Sequence, residues 1–322
     1  MPKETRMEEK ENNYKAWLYL APVLILMAVF TFYPIVNTIV VSFLKDYNAT
    51  TGSHSGFSFY NYAYILGFAE RYEGSGVYNR VFFSFEGPSA FWNTMFITFV
   101  TVPISVIIAL LISIAIHNIK VLQKFFQTVF FMPYVTNVIA VGMVFSIIFS
   151  NGGVFNNIFR LSVNWINPTS ATWATCMTVL CVYIIWTALP YKILIFLSGL
   201  QGIDKRYFDA ARIDGASKAK ANLKIIVPLL SPQILYISVT SFITAFKEYG
   251  AIVGLLNRSY SSTAVASKND LFTIVYYIYD MISSSNWSLS AQYGSAAAVI
   301  LLVVILLFTI LELRISKKMV VY

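Results

Sequence analysis

The chain is poor in the residues that most chemistry needs. Of its 322 residues, two are cysteine and two are histidine. Cys176 and Cys181 stand five apart in one apolar run, a spacing that does not suit disulfide geometry on a helix. Both read more plainly as small buried apolar side chains. His54 and His117 are isolated, and no cluster of His, Cys and carboxylates has metal-ligand spacing. A membrane enzyme would need a base, a nucleophile or a metal set, and these counts supply none. Charge is also scarce, at 12% of residues against about 25% in soluble domains. The phosphate-cradling pattern G-x-x-x-x-G-K does not occur. The net charge of +8 is not gathered into a face or stripe, which speaks against nucleic acid.

Apolar residues make up 57% of the chain, with 26 Phe and 21 Tyr. They form long runs near 16–43, 91–116, 125–149, 172–197, 225–256 and 292–313. Each run is long enough to cross about 30 Å of hydrocarbon, and the aromatics suit interfacial belts. The first run is too long for a secretory signal and carries Tyr33-Pro34 near its end, so it reads as an uncleaved first span. The expected fold is therefore an all-α integral membrane protein with six transmembrane helices and both termini on one side. Placing the termini in the cytoplasm puts 15 basic residues inside and six outside (Lys45, Arg71, Arg80, Arg160, Arg258, Lys268), as the positive-inside rule requires. Lys192 is expected at the inner end of its span, snorkelling to the interface. Residues 1–15 read as a flexible tail, 16–43 as the first helix, 44–90 as an extracellular loop, 91–315 as a five-helix core and 316–322 as a second tail. Six prolines punctuate the spans (Pro34, Pro103, Pro133, Pro190, Pro228, Pro232), as ordinary kinks or as hinges around a pathway.

The segment 199–224 is the polar exception between two apolar runs. Asp204 is a good N-cap for a helix through Ile213. Gly215 supplies a positive-φ stop, and Ser217 caps a second helix with Lys218, Lys220 and Lys224. The result is helix, turn, helix at the cytoplasmic surface. Tyr207 and Phe208 are bulky enough to plug a partner's groove. Ala210, Ala211 and Ala216 allow close backbone approach, and Asp209, Arg212 and Asp214 give electrostatic register. A plain basic inner loop is the competing reading.

The spacing Asp209-Ala210-Ala211, three residues, Gly215, nine residues, Ile225, one residue, Val227-Pro228 resembles the coupling-loop signature EAA-x3-G-x9-I-x-L-P of ABC importer permeases. Asp stands for Glu and Val for Leu. Ile185 through Tyr191 and Ile195 through Ile203 are similar to the segment leading into that loop in carbohydrate-type permeases. Asn93-Thr94, Phe130 through Pro133, Gly152 through Asn156, and Thr263 with Tyr276 through Tyr279 also resemble them. A Gly-Gly-Pro is replaced by Asn257-Arg258-Ser259-Tyr260. The resemblance covers about 16–315 and is nearest to maltose and multiple-sugar permeases.

That resemblance implies a type I ABC importer permease fold in a bacterial plasma membrane. It implies a second homologous permease, two cytoplasmic ATPases on the two loops, an extracellular solute-binding protein and a carbohydrate substrate. No cofactor is expected in this chain, since ATP and Mg²⁺ would bind the partner ATPases. The fifth span carries Ser241, Thr244, Lys247, Glu248 and Tyr249. Thr240, Ser241, Thr244, Lys247, Glu248 and Ala251 share a helical face. Ionisable groups in a span face a cavity or each other. Thr244, Glu248 and Tyr249 offer the hydroxyl-bonding and aromatic groups that a sugar needs. The resemblance places substrate contact in this region, whereas a Lys247–Glu248 salt bridge that tunes packing is the alternative. A glycerol phosphate ester or acidic sugar would also suit Lys247. A self-sufficient secondary carrier stays open, although it would normally show inverted repeats and its own ion-coupling acids.

Overall fold

The computed structural model describes residues 3–70, 79, 81–85, 87–119, 123–166, 171–256, 271–283 and 287–316. Four helical stretches are long and apolar enough to cross a membrane: Lys15–Ser42, Ala90–Asn118, Trp173–Gln201 and Trp287–Ser316. Two bent pairs, Gln123–Val135 with Val138–Ile148 and Lys218–Leu229 with Ser231–Phe246, bring the total to six if each counts as one span. The six-span expectation therefore holds, but the third and fifth spans are broken rather than straight, bent by 99° and 67°.

The first span is built from α1 (Lys3–Met27), a π-helical stretch (Ala28–Phe32) and α2 (Tyr33–Ser42). Residues 3–15, expected as a flexible tail, instead continue α1. Their Glu, Lys and Met content favours helix, and an adjoining span removes the cost of nucleating one. The π stretch ends two residues before Pro34, with Tyr33 N–H donating to the Ala28 carbonyl five residues back. Proline lacks an N–H and clashes with the carbonyl four residues before it, so the ladder widens locally. The same arrangement recurs at Asn222–Ile226, where Val227 N–H donates to the Asn222 carbonyl ahead of Pro228.

A short antiparallel pair, β1 (Leu44–Lys45) with β2 (Gly56–Phe57), and α3 (Tyr60–Ile65) follow. Asn61 donates to the carbonyls of Ser42 and Leu44, both at 2.9 Å, and so ties this segment to the end of α2. The expectation of a structured loop holds for the described residues.

Helix α4 (Ala90–Asn118) packs along α8 (Trp173–Gln201). Between them lie α5 (Gln123–Val135), α6 (Val138–Ile148) and α7 (Val154–Phe159). The α5–α6 break comes just after Pro133. There the Asn137 side chain accepts from the N–H groups of Ile139 and Ala140 and caps α6. A reciprocal Thr172–Thr175 capping box starts α8. Asn93 joins three elements: its amide donates to the Phe272 carbonyl at 3.0 Å, and its oxygen accepts from the Trp173 indole at 2.9 Å. Thr94 accepts from Ile274 N–H at 3.0 Å. Cys176 and Cys181 are buried and unbridged.

The chain continues through α9 (Lys205–Ile213), α10 (Lys218–Ala221), the second π stretch, α11 (Val227–Leu229) and α12 (Ser231–Phe246). Helix α13 (Gly250–Leu256) then packs on α6, and α14 (Ile274–Ser283) leads to α15 (Trp287–Ser316), which covers α2. The expected run 225–256 is therefore not one helix. It ends at Phe246, and Lys247 to Tyr249 form a turn. Thr263 and residues 257–260 lie outside the described residues.

Two apolar clusters hold the bundle. One contains Ile97, Leu180, Phe246, Tyr277 and Ala297, and the other Ala109, Ile193, Phe196, Leu230 and Ile237. Along α4, α8 and α12 they occupy opposite ends. Polar residues sit between them.

Candidate functional site: a surface hairpin and a central cavity

The helical hairpin stands as the sequence predicts. Asp204 accepts from Arg206 N–H at 2.9 Å and starts α9, and its other oxygen lies 2.6 Å from the Arg206 guanidinium. The hydrogen bond from the Arg206 side chain, with that from its backbone, holds the Asp204 carboxyl below the usual carboxylate range. Gly215 has φ +69°. Across it, Ala216 N–H donates back to the Ala211 carbonyl at 2.9 Å and closes the helix end. Ser217 Oγ accepts from Lys220 N–H at 3.3 Å and opens α10.

Asp209, Ala210, Asp214 and Gly215 are exposed, and Tyr207 is 52% exposed. Ala211 departs from expectation. It is 3% exposed, so it packs inward and offers no surface to a partner, as one face of an amphipathic helix must. Sequence reasoning missed Ile213, which is 87% exposed, and Leu223, at 69%. With Tyr207 they leave apolar surface on an otherwise polar hairpin. The side chains of Phe208 and Arg212 lie outside the described residues. A groove lined by Ser198, Gly199, Asp204, Tyr207, Leu229 and Gln233 joins α9 to the ends of α8 and α12.

Further along α8 and α12 lies a cavity of about 670 Å³ between the two apolar clusters. Its wall includes Ser241, Thr244, Lys247, Glu248 and Tyr249, so the structure brings all five predicted pathway residues together. They reach the cavity partly through the turn that ends α12, because the helical register stops at Phe246. Among the described residues no ion pair joins Lys247 to Glu248. Glu248 Oε1 instead accepts from Ala251 N–H at 2.8 Å and its carbonyl accepts from Thr273 Oγ1 at 2.8 Å. The carboxylate thus satisfies the open start of α13. Thr244 donates to the Thr240 carbonyl at 2.8 Å, which leaves its oxygen free to accept. Tyr249 stacks on Tyr276 with ring centroids 6.1 Å apart.

Three further wall residues escaped the sequence reading. Tyr134 stacks on Tyr191 at 5.9 Å, with the planes 19° apart, and the Tyr191 hydroxyl lies 3.0 Å from that of Tyr236. Lys192 is the third. It is 5% exposed and donates from Nζ to Ser105 Oγ at 2.5 Å. It does not snorkel, because nine residues separate it from the end of α8, about 13 Å along the axis. An ionisable residue in a long apolar run was the available signal. Gly142 and Gly254 let α6 and α13 pack backbone to backbone, since a Cβ on Gly142 would lie 2.5 Å from the Gly254 carbonyl carbon.

Residues 112–321 match the family described as binding-protein-dependent transport system inner membrane components. The lactose transport system permease protein of Rhizobium radiobacter is 26% identical over 92% of both chains. The arabinooligosaccharides transport system permease protein of Bacillus subtilis is 28% identical over 93% of this chain and 88% of its own. A bacterial ABC transporter involved in the import of the acidic polysaccharide alginate superposes with a TM-score of 0.75, covering 98% of this chain and 99% of that one. At 16% identity that likeness shows a shared fold.

Proposed function

The chain belongs to the family of binding-protein-dependent transport system inner membrane components, and we propose that it is one of two permease halves of an ATP-driven saccharide importer in a bacterial plasma membrane. The two relatives carry lactose and arabinooligosaccharides by name, and the cavity offers the hydroxyls and aromatic faces that such ligands use. A second, homologous permease closes the open side of the cavity. Two ATPases supply ATP and Mg²⁺ chemistry from the cytoplasm, where both termini and the hairpin lie, and an extracellular solute-binding protein delivers the sugar. The permease itself carries out no catalysis.

The observation that carries this reading is the hairpin 204–221. It is a capped, polar element with exposed Tyr207 and Ile213, connected through the π stretch and the bend at Leu230 to the helix that lines the cavity. Closure of an ATPase on α9 pushes through α10 and the π stretch to α12. The bend between Leu229 and Ser231 lets α12 tilt against α8 and exposes the cavity to alternate sides. This is a two-state element biased at two separate sites. Reconstitution of the four-component complex in proteoliposomes tests the reading. Saccharide uptake should require both ATP and the binding protein. Uptake driven by an ion gradient without the ATPases would refute it.

A further inference from the structure

Among the described residues, the cavity holds a buried cation with no carboxylate beside it. Lys192 is buried in the cavity wall in the second half of α8, and the exposed Lys247 borders the same wall from the turn after α12. Among the described residues, the Lys192 ammonium group donates one hydrogen bond, to Ser105 Oγ, which itself donates to the Val102 carbonyl at 3.0 Å. An ammonium has three N–H groups, so two remain for the cavity. Among the described residues no carboxylate comes within 4.0 Å of either lysine. Among the described wall residues Glu248 is the one acid, and its Oε1 accepts from the backbone of α13. A buried cation without a counter-charge is expensive, and it is kept where an anion arrives to pair with it.

The surroundings of Lys192 name that anion's carrier. Tyr191, the next residue, stacks with Tyr134 at the same cavity wall and presents ring surface of the kind sugar rings lie against. Thr187, Ser241 and Thr244 place hydroxyls around the same space. A cation beside an aromatic platform and a set of hydroxyls fits a ring that carries both hydroxyls and an acid group.

We propose that this permease passes an acidic saccharide, whose carboxylate or comparable anionic group pairs with Lys192 Nζ while Ser105 holds the ammonium in place and Lys247 supplies a second positive charge. This rests on the saccharide-importer reading above and narrows its substrate class.

The test uses the complete reconstituted importer and two panels followed by mass spectrometry: neutral lactose and arabinotriose, and acidic digalacturonate and dimannuronate. The expected result is ATP-dependent entry of an acidic member and exclusion of the neutral ones. Lys192→Gln should lower acidic uptake about 10- to 100-fold, as loss of a charge-assisted contact does, while Lys192→Arg keeps most of it. Thermal melting of the purified complex controls for assembly. If Lys192→Gln fails to assemble, the panel comparison with the wild-type complex still decides. Entry of neutral sugars at rates equal to or above the acidic ones overturns the proposal, and points to a counter-charge for Lys192 from the second permease. Acidic uptake that survives Lys192→Gln in an intact complex also overturns it. If ATP is hydrolysed and neither panel enters, the saccharide reading itself falls, and the inference with it.

Discussion

Replacing Gly215 with alanine separates conformation from contact in the hairpin. The residue sits at φ +69°, and a Cβ built there meets nothing within 4 Å, so the substitution adds no clash. It adds only the left-handed penalty of an L side chain, about 1–2 kcal/mol. If docking needs the turn closed by the Ala216-to-Ala211 hydrogen bond, the competent fraction falls by that free energy, about 5- to 30-fold. ATP-dependent uptake by the reconstituted importer should therefore fall by a similar factor in Gly215→Ala. Asparagine tolerates this conformation, so Gly215→Asn should recover most of the activity. Gly215→Glu should abolish uptake, since it adds bulk and charge to the docking face as well as strain. Membrane insertion should be unchanged in all three, because no span is touched. Wild-type uptake in Gly215→Ala would refute the reasoning. Equal loss in Ala and Asn would also refute it, by showing that backbone conformation is not what the glycine provides.

Gly142→Ala should push α6 from α13, because its Cβ would lie 2.5 Å from Gly254 backbone; overpacking of this kind costs about 1–3 kcal/mol, visible as a lower melting temperature of the complex together with reduced uptake. Tyr183→Phe should cost about 1–3 kcal/mol by leaving the Val138 carbonyl without the hydroxyl that now donates to it at 2.5 Å, read in the same melting assay. Glu248→Ala should loosen the start of α13 and speed hydrogen exchange at Ala251 N–H, while Glu248→Gln, which keeps an acceptor, should not. The Asp204–Arg206 pair should have a pH signature. Because the folded carboxyl titrates below its unfolded value, its contribution is present at neutral pH and is lost as pH falls through the depressed pKa. Protection of α9 amides should be flat from pH 8 to 5 and decline only in stronger acid, and Asp204→Asn should remove that decline.

The hairpin was legible because capping is local. Asp204, Gly215 and Ser217 each act within four residues, so a linear reading finds them. The six apolar runs were legible for the same reason, since hydrocarbon thickness sets one length. The breaks were not. Pro133 and Pro228 were visible as possible hinges, but the 99° bend falls at Asn137, where a side-chain cap takes over. The end of α12 at Phe246 depends on α13 docking through Gly254 against Gly142, more than a hundred residues away in sequence. The direction of Lys192 depends on Ser105 across the α4–α8 interface. Ala211 was misjudged because the turn of α9 toward the bundle is set by tertiary packing.

The most direct measurement is a single-site crosslink from the hairpin. Asp209 is exposed, and the chain's own Cys176 and Cys181 are buried, so a cysteine introduced as Asp209→Cys gives a clean probe in the intact membrane complex. A short bifunctional thiol reagent applied from the cytoplasmic side should join it to the ATPase, with a yield that changes between the ATP-bound and nucleotide-free states. Labelling of that cysteine from the extracellular side alone, or ATP-dependent uptake with the position never within reach of an ATPase, would contradict the account.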